Sequence, residues 1–184
     1  MYAAGSYARS VYVYEENTGD AIFELRDLPG GVTHLQFNRA GNLLISGARK
    51  DSAVYVWDIR STKDILYELP RASDTNQRIY FDVDPSDRFL VTGGSDGVMS
   101  VFDLRNGEKN ATWKEKDTVN GVSFHPTHPV IALSTGQRHF DAFSDSDSDS
   151  ESSIAEMSDG DTGAEVNTGP CNRLCLLRCA LEMK

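Results

Sequence analysis

Apolar and polar residues alternate in short runs along most of this chain, as in Val11-Tyr-Val-Tyr14, Leu43-Leu-Ile-Ser-Gly47, Ala53-Val-Tyr-Val-Trp57 and Val98-Met-Ser-Val-Phe102. A two-residue period sends successive side chains to opposite faces of a strand. Clusters of Gly, Asp, Asn and Ser separate the runs and mark turns. No segment holds a helical period over a useful length. The expected class is all-β, built from many short strands.

The strands repeat. The stretch VTHLQFNRAGNLLISG at 32–47 matches RIYFDVDPSDRFLVTGG at 78–94 and VNGVSFHPTHPVIALSTG at 119–136, and Phe37, Val83 and Phe124 fill equivalent places 46 and 41 residues apart. A second shared phrase follows the first two, AVYVWDIRSTKD at 53–64 and VMSVFDLRNGEK at 98–109, and an earlier copy, SVYVYEENTGD, stands at 10–20. Trp57-Asp58, Phe102-Asp103 and Tyr14-Glu15 occupy one slot. A unit of about 40–45 residues with four strands and a Trp-Asp dipeptide is the signature of a WD40 β-propeller blade.

Each blade packs both faces against its neighbours, so its inner strands need alternating aliphatics such as Leu43, Ile45, Val54 and Val56. Asp51 and Asp96 fall in tight turns between second and third strands, where a carboxylate accepts backbone N–H groups. Trp57, Asp58, Phe102 and Asp103 are expected to be structural, like most buried aromatics and the turns beside them. The Gly-His pair that often precedes a first strand is replaced by Asp27-Leu-Pro-Gly-Gly31. The end of one blade, two full blades and the start of another can be counted, with a possible last strand pair at 172–184. A closed ring of seven units would need roughly 300 residues, so about three to four blades of an incomplete ring are expected here. Met1 falls inside a blade, and the chain reads as the C-terminal part of a longer protein or an incomplete gene product. The expected organisation is propeller blades at 1–140, a disordered acidic Ser/Asp-rich insert at 141–170 and a terminal propeller strand at 171–184.

Composition changes the picture in one respect. The 184 residues carry a net charge of −10, which by itself argues against a phosphate-rich partner. That charge is local: residues 1–140 come to −3, 141–172 hold nine acids and no base, and 173–184 come to +2. The tract SDSDSDSESS at 144–153 has nothing apolar to bury. It reads as a solvating insert, or as a run of kinase targets in which Ser144, Ser146, Ser148 and Ser150 would each gain about −1.5 to −2 on phosphorylation. No run nears the ~20 apolar residues that span a bilayer, and Met1–Ser10 is not a charged start followed by an apolar stretch and a cleavage site, so a secreted or membrane-spanning protein is not expected. Cys171, Cys175 and Cys179 are odd in number and exclude a disulfide framework, which points to a reducing compartment.

Turns of an antiparallel blade alternate between two rims. One rim collects Arg9, Arg26, Arg49, Lys50, Arg71, Arg78, Lys114, Lys116 and Arg138 against six acids, a balance of +3, and the other comes to −3. Three phrases on the basic rim carry an Arg beside small or amide residues: GARKD at 47–51, NQRIYFD at 76–82 and GQRHF at 136–140. Guanidinium forks suit phosphates, guanine edges and unpaired bases, and Asn76, Gln77 and Gln137 can read donors and acceptors. Arg49, Lys50, Asn76, Gln77, Arg78, Gln137 and Arg138 are therefore the candidate RNA-binding set. The acidic tract follows Arg138 and would emerge on this rim, where its carboxylates would compete with RNA phosphates.

These phrases, together with SDGVMSVFD at 95–103 and NGVSFHP at 120–126, resemble the WD-repeat telomerase Cajal body protein family over about residues 3–140. The resemblance implies a non-catalytic nuclear scaffold that binds small Cajal body RNAs and telomerase RNA, directs them to Cajal bodies and meets telomerase ribonucleoprotein proteins. A protein-interaction propeller without RNA contact is the alternative. No enzyme, cofactor or metal is expected. The cysteines at i, i+4, i+8 lack a fourth ligand, and His34, His125, His128 and His139 show no ligand spacing. Gly93, Gly94 and Gly97 belong to a blade hairpin rather than a phosphate loop.

Overall fold

The structure, a computed structural model, describes residues 1–26, 28–61, 64–137 and 172–178. Every regular element among them is a strand: β1 (Tyr2–Gly5), β2 (Val11–Tyr14), β3 (Ala21–Leu25), β4 (Val32–Phe37), β5 (Leu43–Ala48), β6 (Ala53–Asp58), β7 (Ile65–Pro70), β8 (Phe81–Val83), β9 (Phe89–Thr92), β10 (Val98–Asp103), β11 (Glu108–Lys114), β12 (Val119–Phe124), β13 (Val130–Thr135) and β14 (Arg173–Arg178). They form four antiparallel sheets, β1-β2-β3, β4-β5-β6-β7, β8-β9-β10-β11 and β12-β13-β14. These are two complete blades between two three-stranded ones, the all-β propeller class that the repeat predicts.

The period-two pattern explains the packing. In β5 and β6, Leu44, Tyr55 and Trp57 pack toward β1–β3 with Val11, Val13 and Leu25, while Ile45, Val54 and Val56 pack toward β8–β11 with Phe81, Leu90 and Phe102. In β9 and β10, Phe89, Val91, Met99 and Val101 face the last sheet with Val119, Val122, Ile131 and Leu133. Both faces of the middle strands are therefore apolar and buried, each large side chain contributing about 1.5–3 kcal/mol. Outermost strands carry the polar residues, and β11 is exposed along its whole length. Pro70 closes the edge strand β7, where its missing N–H costs nothing in the ladder.

The repeat extends to its irregularities. Pairing of the third and fourth strands shifts register between Val13 and Tyr14, Val56 and Trp57, and Val101 and Phe102, each time just before or at the aromatic-acidic slot. A bulge there adds local twist, and the Trp57 and Phe102 rings turn into the interface with the preceding blade. Trp57 is buried and donates from Nε1 to Ser46 Oγ at 3.1 Å.

First strands β4, β8 and β12 lie side by side. Asp82 joins them, accepting from Gln36 Nε2 at 3.0 Å, Ser123 Oγ at 3.0 Å and the Phe124 N–H at 2.8 Å. The last sheet takes its third strand from far along the chain, β14 pairing with β13 from Arg173–Thr135 to Arg178–Val130. One strand rather than a pair is described there, and residues 179–184 lie outside the described residues, as do Arg138, His139, Ser144, Ser146, Ser148, Ser150, the rest of the 141–170 tract, Cys171 and Cys179.

Candidate nucleic-acid interface

Second-to-third and fourth-to-first connections meet on one rim and are stitched by backbone hydrogen bonds. Val32 N–H donates to Ser6, Arg49 to Gly31, Lys50 to Thr75, Ser95 to Ala72, Val119 to Gly94 and Gly136 to Thr118. Gly30 makes this possible, because a methyl there would sit 2.0 Å from the Arg49 carbonyl oxygen. The predicted phrases thus follow one another around one surface. GARKD touches the loop that holds Asn76, Gln77 and Arg78. That loop reaches the last blade through Tyr80 N–H to the Asn120 carbonyl at 2.8 Å, and the Asn120 amide in turn donates to the Gly136 carbonyl. Gln137 is held there by Thr118, whose hydroxyl donates to Gln137 Oε1 at 3.2 Å. Arg138 lies outside the described residues.

The charges on the two rims differ in their partners. On the acidic rim Arg60 Nη2 and Asp58 are 2.7 Å apart, Arg105 Nη2 and Asp103 are 2.9 Å apart, and Arg88 Nε is 3.5 Å from Asp103. Asp58 and Asp103 also accept the N–H groups of Arg60 and Arg105. These contacts, led by the Arg60 and Arg105 side chains, hold both carboxyls down to about 2. The D-x-R spacing in WDIR and FDLR is the sequence signal for this pairing. On the basic rim, by contrast, none of Arg9, Arg49, Lys50 and Arg78 forms an ion pair among the described residues. Lys50 and Arg78 are exposed, and Arg49 is half-buried with no hydrogen-bond partner for its Nε.

Three residues counted as rim charges have other work. Arg71 is buried and donates from Nη1 to the Ile79 carbonyl and from Nη2 to the Ala48 carbonyl, both at 3.1 Å, which locks the connection between the two complete blades. Burial lowers its pKa to about 10, against the opposing pull of Asp51. Arg26 pairs with Glu24 at 2.5 Å, and Lys114 donates to the Asp96 carbonyl.

Turn geometry shapes the remaining cations. Asp51 is buried, accepts from Ala53 N–H and from the Tyr55 hydroxyl, both at 3.3 Å, and has its pKa raised by burial. Asp96 likewise accepts from Val98 N–H at 3.0 Å. Arg9 and Lys50, in two of these turns, adopt left-handed φ values of 65° and 49°, conformations that cost a side-chain-bearing residue about 1–2 kcal/mol. Two aromatic rings not singled out in the sequence lie under rim arginines: the Arg49 guanidinium is 5.6 Å from the Tyr7 ring centre and that of Arg78 is 4.3 Å from Tyr80. R-x-Y at 78–80 is a readable signal for the second. Nothing local reveals the first.

His34, on β4 beside this surface, stacks on Phe81 at 4.2 Å and meets Tyr80 edge-on at 5.2 Å. Burial first, and then the Arg78 and Arg71 charges, lower its pKa to about 4, so the ring is neutral at neutral pH. No group of three or more His, Cys, Asp or Glu able to hold a metal occurs among the described residues, and no helix among them is long and apolar enough to cross a membrane.

Comparison with known proteins agrees with the blade repeat and narrows it. The WD domain, G-beta repeat family matches residues 23–58. Telomerase Cajal body protein 1 of Mus musculus is 45% identical over 148 residues, covering 76% of this chain and 28% of its own length. The Homo sapiens protein of that name is 43% identical over 147 residues, 76% of this chain and 27% of its own. The Drosophila melanogaster homolog is 40% identical over 123 residues, 65% of this chain and 23% of its own. This chain thus spans little more than a quarter of these relatives' length. With its repeated blades and this identity running through most of its length, the chain belongs to the telomerase Cajal body protein family of WD-repeat proteins.

Proposed function

We propose that this chain forms part of a non-catalytic nuclear scaffold that binds small Cajal body RNAs and telomerase RNA, directs them to Cajal bodies and supports telomerase assembly and telomere maintenance. The observation that carries the reading is the contrast between rims: acids neutralise Arg60 and Arg105 on one, while Arg49, Lys50 and Arg78 on the other form no ion pair among the described residues. Unpaired cations beside amides suit a single-stranded RNA loop, whose phosphates need charge and whose exposed base edges need donors and acceptors. Asn76, Gln77, Gln137 and Arg138 complete the proposed set. Ser144, Ser146, Ser148 and Ser150 are proposed phosphorylation sites whose added charge would weaken RNA binding at that rim.

Charge reversal on the two rims tests this. Binding of a small Cajal body RNA to the full chain is expected to weaken at least tenfold in Lys50→Glu and Arg78→Glu, and to hold within twofold in Arg60→Glu. Equal loss on both rims, or none on either, contradicts the assignment. A protein-docking propeller without RNA contact, its rims serving as docking surfaces, is the alternative. That reading predicts RNA affinity indifferent to both rims.

A further inference from the structure

The two arginine–tyrosine pairs have a geometry that the phosphate reading does not use. Tyr7 is 75% exposed in the loop between β1 and β2, and Tyr80 is 38% exposed just ahead of β8. Each ring has one rim guanidinium at cation–π distance, Arg49 for Tyr7 and Arg78 for Tyr80. Neither guanidinium is drawn away by a carboxylate among the described residues, and neither tyrosine hydroxyl there has a hydrogen-bond partner. Arg49 and Tyr7 come from different blades, so the pair spans a blade boundary that the Arg49-to-Gly31 and Val32-to-Ser6 backbone bonds hold closed. Tyr80 is fixed from the side by the His34 ring and through its backbone by Asn120.

We propose that Tyr7 with Arg49, and Tyr80 with Arg78, form two stacking sites for unpaired bases of a single-stranded RNA, one on each side of the Arg49–Lys50 turn. The proposal rests on the RNA reading above and adds how bases are held. Every base has a π-face, so an aromatic ring or a guanidinium plane accepts any of them, and the same guanidinium can turn an N–H toward the adjoining phosphate. The pairs are already assembled without RNA, so little side-chain order has to be created on binding. Because Arg49 and Arg78 occupy the tyrosine faces, each base either stacks on the outer face of the guanidinium or takes its place on the ring. Both arrangements need the tyrosine.

The probe is a fluorescently labelled, unstructured single-stranded RNA of twelve nucleotides, and the protein is the full chain. Tyr7→Leu and Tyr80→Leu are each expected to weaken binding roughly tenfold, since base–aromatic stacking is commonly worth that much or more, without changing the slope of affinity against salt. Tyr7→Phe and Tyr80→Phe are expected to bind as the parent does, and the same RNA with abasic nucleotides is expected to lose the difference between Tyr and Leu. If the Leu variants keep full affinity while Arg78→Ala weakens binding, the stacking sites are refuted and the RNA interface stands. If Leu variants weaken natural and abasic RNA equally, the tyrosines act only in supporting the loops. If the parent chain binds neither RNA, both the stacking sites and the RNA reading fall.

Discussion

Gln36 donates from its Nε2 to Asp82 Oδ1 at 3.0 Å, and this bond joins the first strand of one complete blade to the first strand of the next. Asp82 accepts from the last sheet through its other oxygen, so one carboxylate serves three sheets. Removing it leaves the Phe124 N–H and the Gln36 amide without their acceptor. Hydrogen bonds to a charged group contribute about 1.5–3 kcal/mol, and Asp82→Ala is expected to destabilise the fold by about 2 kcal/mol in urea unfolding. Gln36→Ala, which removes one contact, is expected to cost about half as much.

His34 gives the fold a pH dependence with a definite sign. The folded ring has a pKa near 4, and the unfolded ring titrates near 6.5. Between these values the unfolded chain binds more protons, so stability is full above about pH 6.5 and falls as the pH drops toward 4. Arg78 and Arg71 reinforce the effect and Asp82 opposes it. After allowance for solvent screening of a partly exposed ring, the loss is on the order of 2 kcal/mol. Melting temperature measured at pH 7 and pH 5 should fall at the lower pH in the parent and change much less in His34→Phe, which keeps the ring stacked on Phe81.

Lys50 separates stability from binding. Its φ of 49° suits glycine, so Lys50→Gly relieves about 1–2 kcal/mol of backbone strain and gives back roughly 0.5–1 through the greater freedom of unfolded glycine. A variant that is more stable by about 0.5–1 kcal/mol, yet binds RNA more weakly, is expected from denaturation and binding titrations together. A variant that loses stability would show that the Lys50 side chain supports the turn.

The acidic tract makes a further prediction. It enters the chain between β13 and β14, shortly after Gly136 and Gln137, which Thr118 holds on the rim of Arg49 and Arg78. Deleting residues 141–165 is expected to tighten RNA binding at low salt, an effect that fades as salt screens the carboxylates. Equal affinity with and without the tract would make it a passive spacer.

The blade repeat was legible because period-two alternation survives in every copy: Leu44 and Ile45 go to opposite interfaces, as Leu90 and Val91 do. The matching of Tyr14, Trp57 and Phe102 coincides with a register shift in the same place in three sheets. Arg71 was not legible, because the Ala48 and Ile79 carbonyls that turn it inward come from separate loops and no local residue marks it as buried. The pairing of Tyr7 with Arg49 was hidden for the same reason. Strand counting does place Arg49, Lys50 and Arg78 on one rim, but a count of charges cannot tell that Arg60 and Arg105 are neutralised by their own blades while these three are not.

The most direct test of an RNA-binding rim is the affinity of the full chain for a small Cajal body RNA measured across a series of salt concentrations. Direct contact through Arg49, Lys50 and Arg78 predicts that the logarithm of the association constant falls linearly with the logarithm of salt, with a slope of about 0.7 for each phosphate contact to a single strand. Arg78→Ala should lower that slope by about one contact. An affinity that does not change with salt, or a slope that Arg78→Ala leaves intact, would contradict the assignment.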